Sequence, residues 1–266
     1  MIPYFQLISF PIGPINIQVW GLMVSLGILA ALLVTYYLAK KRNLEYKKIT
    51  DLAFWVILSA LIGSRVLFIL MEWKYYLEYP SDIFRFWEGG MSISGGLIFG
   101  ALAGYIYCRY QRWNFLDYAE IVAFSLPLGL FIGRLGCFFI FDHPGTATNF
   151  FLGEKYLDGI IRHNHGLYLS LEGLAIFLLF LIIYFVKYRR DIPWHVPTGK
   201  NKILFIALFL ILDGLTRLIL DFWRINDPVF FNLTIAQYLG ILMIGIGIYI
   251  IVNLSIRPSG YSRFKP

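Results

Sequence analysis

QVWGLMVSLGILAALLVTYYLA occupies residues 18–39 and runs directly into Lys40-Lys41-Arg42. As a helix, an uncharged stretch of that length crosses a hydrocarbon core about 30 Å thick, and the cations that close it belong among headgroups. Six further stretches repeat the pattern, at 51–72, 91–108, 116–140, 168–187, 203–220 and 234–254. Of the 266 residues, 59% are hydrophobic and only 15% charged, so the chain needs lipid as its solvent. The pattern predicts an all-α polytopic membrane protein of seven transmembrane helices, with residues 1–266 forming a single bundle domain.

Charge distribution orients the bundle. Loops of one parity, with the tail, hold fifteen cations: Lys40, Lys41, Arg42, Lys47, Lys48, Arg109, Arg112, Lys187, Arg189, Arg190, Lys200, Lys202, Arg257, Arg263 and Lys265. Loops of the other parity hold five, namely Lys74, Arg85, Lys155, Arg162 and Arg224. The positive-inside rule then puts the N-terminus outside and the C-terminus in the cytoplasm. Residues 73–90, 141–167 and 221–233 become external segments, rich in aromatic residues, His and Asp, and suited to the headgroup level. The first seventeen residues carry no Lys or Arg and are broken by Pro3, Pro11 and Pro14, which predicts an external cap on the first span in place of a cleavable signal. The net charge of +7 belongs to these topology signals, and no nucleic-acid partner is expected. Cys108 and Cys137 fall near opposite ends of neighbouring spans, too far apart for a disulfide.

Several charges interrupt apolar sequence: Arg65, Arg134, Asp213 and Arg217. A charge at the bilayer centre costs at least about 2.5–3.5 kcal/mol, so each should face protein or water and have a partner. Arg65 follows Gly63-Ser64 and suits a carboxylate partner. Arg134 sits in Gly133-Arg134-Leu135-Gly136, where two glycines strip bulk from the helix beside the guanidinium. A planar, permanently charged fork there suits a phosphate oxygen, which lipid headgroups supply. Arg217 and Asp221 are spaced i,i+4 on one helix face, and Arg224 and Asp227 extend the cluster into the external loop. The third span opens with GGMSISGG at 89–96, two glycine pairs around two serines, which points to unusual backbone and close ligand approach. Gly96, Gly100 and Gly104 continue as a small-residue stripe for helix packing.

Together with Trp20-Gly21, Gly63-Ser64-Arg65, GRLGCFF at 133–139, Gly145, HGLY at 165–168 and the run from Arg217 through FWRINDP to Gln237, these motifs resemble the prolipoprotein diacylglyceryl transferases in order and spacing over nearly the whole chain. The resemblance implies transfer of the diacylglyceryl group of phosphatidylglycerol to the lipobox cysteine thiol of a prolipoprotein signal peptide, in a multi-pass protein of the bacterial plasma (inner) membrane. Membrane lipids and the precursor are the implied partners. It implies catalytic roles for Arg134, Arg217, Asp221, Ser94, Asp142 and His143, and substrate contacts for Arg134, Gly95, Gly96, Gly145, Trp20, Arg224, His165 and Tyr168. Neither cofactor nor metal is expected, because the histidines lack metal-motif spacing and the glycines match no nucleotide fingerprint.

The chain departs from the family pattern where base chemistry is concerned. Ser94 stands in place of a histidine, Cys137 in place of an asparagine, Asp142 in place of a glutamate, Trp20 in place of a tyrosine, and Leu169 where a glutamate belongs. His143, His163 and His165 fall on the external side, and an imidazole with pKa about 6.5 is a candidate base if the fold brings it to the cavity. The alternative reading is a phospholipid-binding protein of the same fold with altered catalysis; a transporter is disfavoured because no internal repeat is evident.

Overall fold

The computed structural model describes residues 2–13, 15–85, 89–188, 204–225 and 229–256. The cations at 189–202 and in the tail, together with His195 and Asp227, lie outside the described residues. Eight helices are present among those described: α1 (Val19–Lys41), α2 (Ile49–Met71), α3 (Trp73–Glu78), α4 (Ile93–Tyr110), α5 (Phe115–Ile140), α6 (His165–Tyr188), α7 (Leu204–Leu220) and α8 (Ile235–Ile256). Each expected span falls on one of these, α3 being extra. The largest boundary difference is at α6, which starts at 165 and not 168. The reason is local: the Asn164 side chain accepts the Leu167 N–H at 3.0 Å and so caps a helix that hydropathy alone starts later. Among the described residues, five helices are long and apolar enough to cross a membrane: α1, α2 with the short turn before it, α5, α6 and α8. The 17 residues of α7 make a shorter rod, about 25 Å at 1.5 Å per residue.

The chain divides into two compact units, residues 43–119 and a larger one made of 1–42 and 120–266. In the smaller unit α2 packs on α4 through glycines. A Cβ on Gly63 would run into the Phe99 ring, and one on Gly95 into the Gly63 carbonyl and the Leu67 side chain. Arg65, expected to seek a carboxylate, instead donates to backbone carbonyls: Ile83 at 3.0 Å, Gly89 at 2.7 Å, Gly90 at 2.9 Å, and Asp82. The turn at Gly89 and Gly90, with φ of +99° and +72°, presents those carbonyls, and only glycine adopts it without strain.

In the larger unit, helices meet where side chains are smallest. Gly27 of α1 lies against the Gly129 carbonyl of α5, Gly173 of α6 against the Pro127 carbonyl of α5, and Gly214 of α7 against the Gly240 carbonyl of α8. Phe124, Phe180 and Phe205 form the best-buried aromatic cluster, with ring centroids 5.0–6.0 Å apart. The buried Glu120 carboxylate accepts the N–H groups of Phe205 at 2.8 Å and Ile206 at 3.0 Å, satisfying donors that the first turn of α7 leaves over.

The connections at one end of this unit are short strands, a correction to the all-α expectation. β1 (Ser9–Ile12) pairs antiparallel with β2 (Ile15–Gln18), which leads into α1. β3 (Pro144–Ala147), β4 (Glu154–Lys155) and β5 (Ile161–Asn164) form a sheet in the order β3-β5-β4. β6 (Val229–Phe230) and β7 (Leu233–Thr234) form a hairpin into α8. Ile2 bridges to Glu154, Gly145 bridges to Arg224, and the Leu7 N–H bonds the Phe139 carbonyl at 2.8 Å. These segments therefore gather where α5 and α7 end and α6 and α8 begin.

Candidate active site

One to two turns in from that same end, α5, α6 and α7 surround a cavity. Pro127, Leu130 and Arg134 line it from α5, Leu169, Glu172, Gly173 and Ile176 from α6, and Phe209, Asp213 and Arg217 from α7. Pro127 has no N–H to donate inside α5, and its carbonyl side is where Gly173 lets α6 approach, so the sequence draws the two helices together beside Arg134. The walls are otherwise aliphatic or aromatic, and four ionisable groups face one another within them.

The two arginines are held differently. Arg217 is buried and paired with Asp213, Nε to Oδ2 at 2.5 Å and Nη2 to Oδ1 at 3.4 Å. The expected Arg217–Asp221 pair is therefore corrected: α7 ends at Leu220 and Asp221 begins a 3-10 turn, leaving Asp213, one turn earlier, as the carboxylate on the arginine's face. Arg134 forms no ion pair with a carboxylate among the described residues; its Nη1 lies 4.0 Å from the Cys137 sulfur, too long for more than a weak contact. The Trp20 side chain also borders that sulfur, at the first turn of α1, where Gly136 packs on the Trp20 backbone. Arg217 is thus already neutralised, whereas Arg134 presents its charge to the cavity.

Asp221 serves a different task. Its carboxylate accepts the Thr234 hydroxyl and lies 3.5 Å from Arg224 Nη1. Thr234 in turn accepts the Gln237 N–H at 3.2 Å while Gln237 Oε1 accepts the Thr234 N–H at 2.9 Å, a reciprocal capping box at the start of α8. Asp221 therefore ties the end of α7 to the start of α8.

Beyond α5 the backbone places Asp142 and His143. Phe141 adopts φ +60°, and the N–H groups of Phe141 and Asp142 return to the carbonyls of Phe138 and Cys137 at 3.3 and 3.1 Å, the Schellman pattern. Packing of the Phe141 ring against Tyr4 and Tyr156, at 4.9 and 4.8 Å, holds a non-glycine residue in that conformation. His143 Nδ1 sits 3.2 Å from Asp142 Oδ1 and 3.3 Å from Arg224 Nη2. Burial, with the Arg224 and Arg134 cations added, pushes His143 down to about 3. Burial raises the Asp142 carboxyl, against the pull of the same two arginines.

His163 is engaged by the Tyr168 hydroxyl at 2.9 Å and stacks on Trp223 with ring centroids 5.3 Å apart; burial lowers its pKa. His165 Nε2 lies 3.0 Å from the Leu220 carbonyl, an acceptor only, so that nitrogen carries the proton. Gly145 admits these rings: a Cβ there would stand 2.8 Å from the His163 Cβ and 2.9 Å from His165 Cε1. Ser94, Gly95 and Gly96 belong to the smaller unit, near the start of α4, where α2 makes the close approach: the Gly63 carbonyl faces Gly95 and the Ser64 hydroxyl faces Gly96.

Sequence reasoning did not single out Glu172. The signal was present, since Glu172 interrupts the apolar run of α6 just as Arg134 interrupts α5. It lies one turn beyond Leu169 on the same helix face, and both border the cavity.

In a helical membrane protein, an arginine without an ion pair among the described residues, beside a buried ion pair and apolar walls, suits the class of proteins that handle anionic amphiphiles. The family model described as prolipoprotein diacylglyceryl transferase matches residues 7–253, and the chain belongs to that family. It is 30% identical to the phosphatidylglycerol–prolipoprotein diacylglyceryl transferase of Staphylococcus aureus (strain Newman), over 98% of this chain and 94% of that protein. It is 32% identical to the corresponding enzyme 1 of Clostridium perfringens (strain 13 / Type A), over 94% of this chain and 95% of that protein.

Proposed function

We propose that this chain transfers the diacylglyceryl group of phosphatidylglycerol to a prolipoprotein, the first step of bacterial lipoprotein maturation. Family membership across residues 7–253 and the named activity of relatives that span nearly their full lengths support the reaction. The acceptor in this reading is the lipobox cysteine of the signal peptide, and the enzyme is a seven-span protein of the bacterial inner membrane with its N-terminus outside. α4 and α7 are the remaining two spans in this reading, beside the five described helices that are long and apolar enough to cross.

The observation that carries the mechanism is the contrast between the arginines. Arg134 faces the cavity without a carboxylate ion pair among the described residues, whereas Arg217 is spent on Asp213. A phosphodiester monoanion entering between α5, α6 and α7 meets the Arg134 guanidinium, which is held in no ion pair among the described residues, and apolar walls for its glyceride. As the bond to the glyceryl carbon breaks, charge grows on the departing phosphate, and a fixed guanidinium stabilises that developing charge more than it stabilises the bound lipid. Arg217, held by Asp213, contributes shape and field; Arg224 with His143 and Asp142 borders the external entry to the same end of the unit. Cys137 is buried against Arg134 and Trp20 and is not the acceptor; the nucleophile is the precursor's own thiol.

The test is to incubate the purified chain in lipid with labelled phosphatidylglycerol and a lipobox peptide and to follow both products by mass spectrometry. A thioether-linked diacylglyceryl peptide and one equivalent of glycerol phosphate are expected. Lipid binding with neither product would instead favour a phospholipid-binding protein of the same fold.

A further inference from the structure

The site as described has a cation for the leaving group but no group that takes the thiol proton. Ser94 is a poor proton acceptor at neutral pH, and the other titratable groups at this end of the unit are either committed or do not line the cavity. Asp213 holds Arg217. Asp221 holds Thr234 and Arg224. His143 Nδ1 accepts from Arg224 Nη2 beside Asp142, and His163 is bound to Tyr168. His165 donates its Nε2 proton to Leu220; its Nδ1, like Glu154 Oε1, is buried without a hydrogen-bond partner among the described residues, but neither residue lines the cavity.

Glu172 does line it, opposite Arg134 and beside the Asp213–Arg217 pair. Its Oε1 is sealed from solvent and has no hydrogen-bond partner among the described residues. Thr216, from α7, approaches the same carboxylate and also bonds the Leu212 carbonyl at 3.1 Å. A buried carboxylate oxygen left without a donor is costly to maintain, and the cost is met when a proton or a donor arrives with a ligand.

We propose that Glu172 is the proton acceptor for the substrate thiol, an inference that rests on the transferase reading above. The cysteine S–H gives its proton to Glu172 while the sulfur lone pair forms the C–S bond to the glyceryl carbon that bears the phosphate. The C–O bond at that carbon breaks, its electron pair stays on the phosphate oxygen, and glycerol phosphate departs as a dianion beside Arg134. The proton then passes from Glu172 to the released phosphate or to water, restoring the carboxylate. The acid lost at Leu169 is supplied one turn further along the same face of α6.

The experiment compares wild type, Glu172→Gln, Glu172→Asp and His165→Gln as full chains in phosphatidylglycerol-containing nanodiscs. Thioether formation is followed across a pH series and lipid binding is measured separately. Loss of a positioned general base predicts that Glu172→Gln falls by about 100-fold or more in kcat/KM with lipid binding retained. Glu172→Asp should recover part of the rate with the acid limb of the pH profile displaced, while His165→Gln, whatever rate its lost contacts leave it, keeps that limb at the wild-type pH. Near-wild-type transfer by Glu172→Gln overturns the assignment. So does equal loss in both Glu172 variants together with lost lipid binding, or a pH limb that vanishes only in His165→Gln. Absence of thioether product from the wild type itself would instead bring down the transferase reading on which the proposal stands.

Discussion

Arg134 and Arg217 carry the same charge into the same cavity, yet their surroundings give them unlike consequences when removed. Arg217→Ala leaves the buried Asp213 carboxylate uncompensated, so about 3–5 kcal/mol of stability should be lost in chemical unfolding in detergent. Arg134→Ala breaks no ion pair among the described residues and should lower stability by much less than Arg217→Ala. His143 gives a pH signature. Its pKa falls from 6.5 to about 3 on folding, so the unfolded chain binds the extra proton between those values. The stability its neutral form contributes is present above 6.5 and lost as the pH falls toward 3. His143→Gln should therefore flatten the acid side of the stability curve, and an unaltered slope would contradict the assignment. Arg134 was legible because two glycines and an apolar run isolate it. The Arg217–Asp213 pair was not, because i,i+4 spacing is satisfied equally by the carboxylate before and the one after. Only the end of α7 at Leu220 decides between them.

At the scale of elements, caps determine where helices begin. Asn164 starts α6, and the Thr234–Gln237 box, pinned by Asp221, starts α8. Thr234→Ala removes a capping hydroxyl and one partner of a buried carboxylate, and should cost about 1–2 kcal/mol, read as earlier exchange of the first-turn amides of α8. Unchanged protection there would show that Asp221 acts elsewhere. Hydropathy located the cores of these helices well but could not locate caps made by residues outside the apolar runs. It was equally blind to β1–β7, whose strands are four residues or fewer, too short to show an alternating pattern. The glycine motif at 89–96 was read for ligand approach, but its second glycine pair is met by α2.

For the whole molecule, apolar length and the fifteen-to-five distribution of cations carry the reading. Seven of the eight described helices fall on the expected apolar stretches, whereas the division into units of 43–119 and the remainder depends on which helices pair, which periodicity does not encode. The orientation predicts that a cysteine introduced at the exposed Asp158, in an otherwise cysteine-free chain, reacts with an impermeant maleimide on intact cells. One at Glu45 should react only after lysis, and the reverse pattern would invert the topology.

The account turns on a guanidinium in an apolar cavity meeting the phosphate of a lipid. The most direct measurement is thioether yield from phosphatidylglycerol and a lipobox peptide by Arg134→Ala and Arg134→Lys beside the wild type, with unfolding monitored in parallel. Loss of a charge that stabilises the leaving phosphate predicts a drop of about 100-fold or more for alanine and partial recovery for lysine, with stability lowered far less than by Arg217→Ala. Turnover by Arg134→Ala at the wild-type rate would contradict the account.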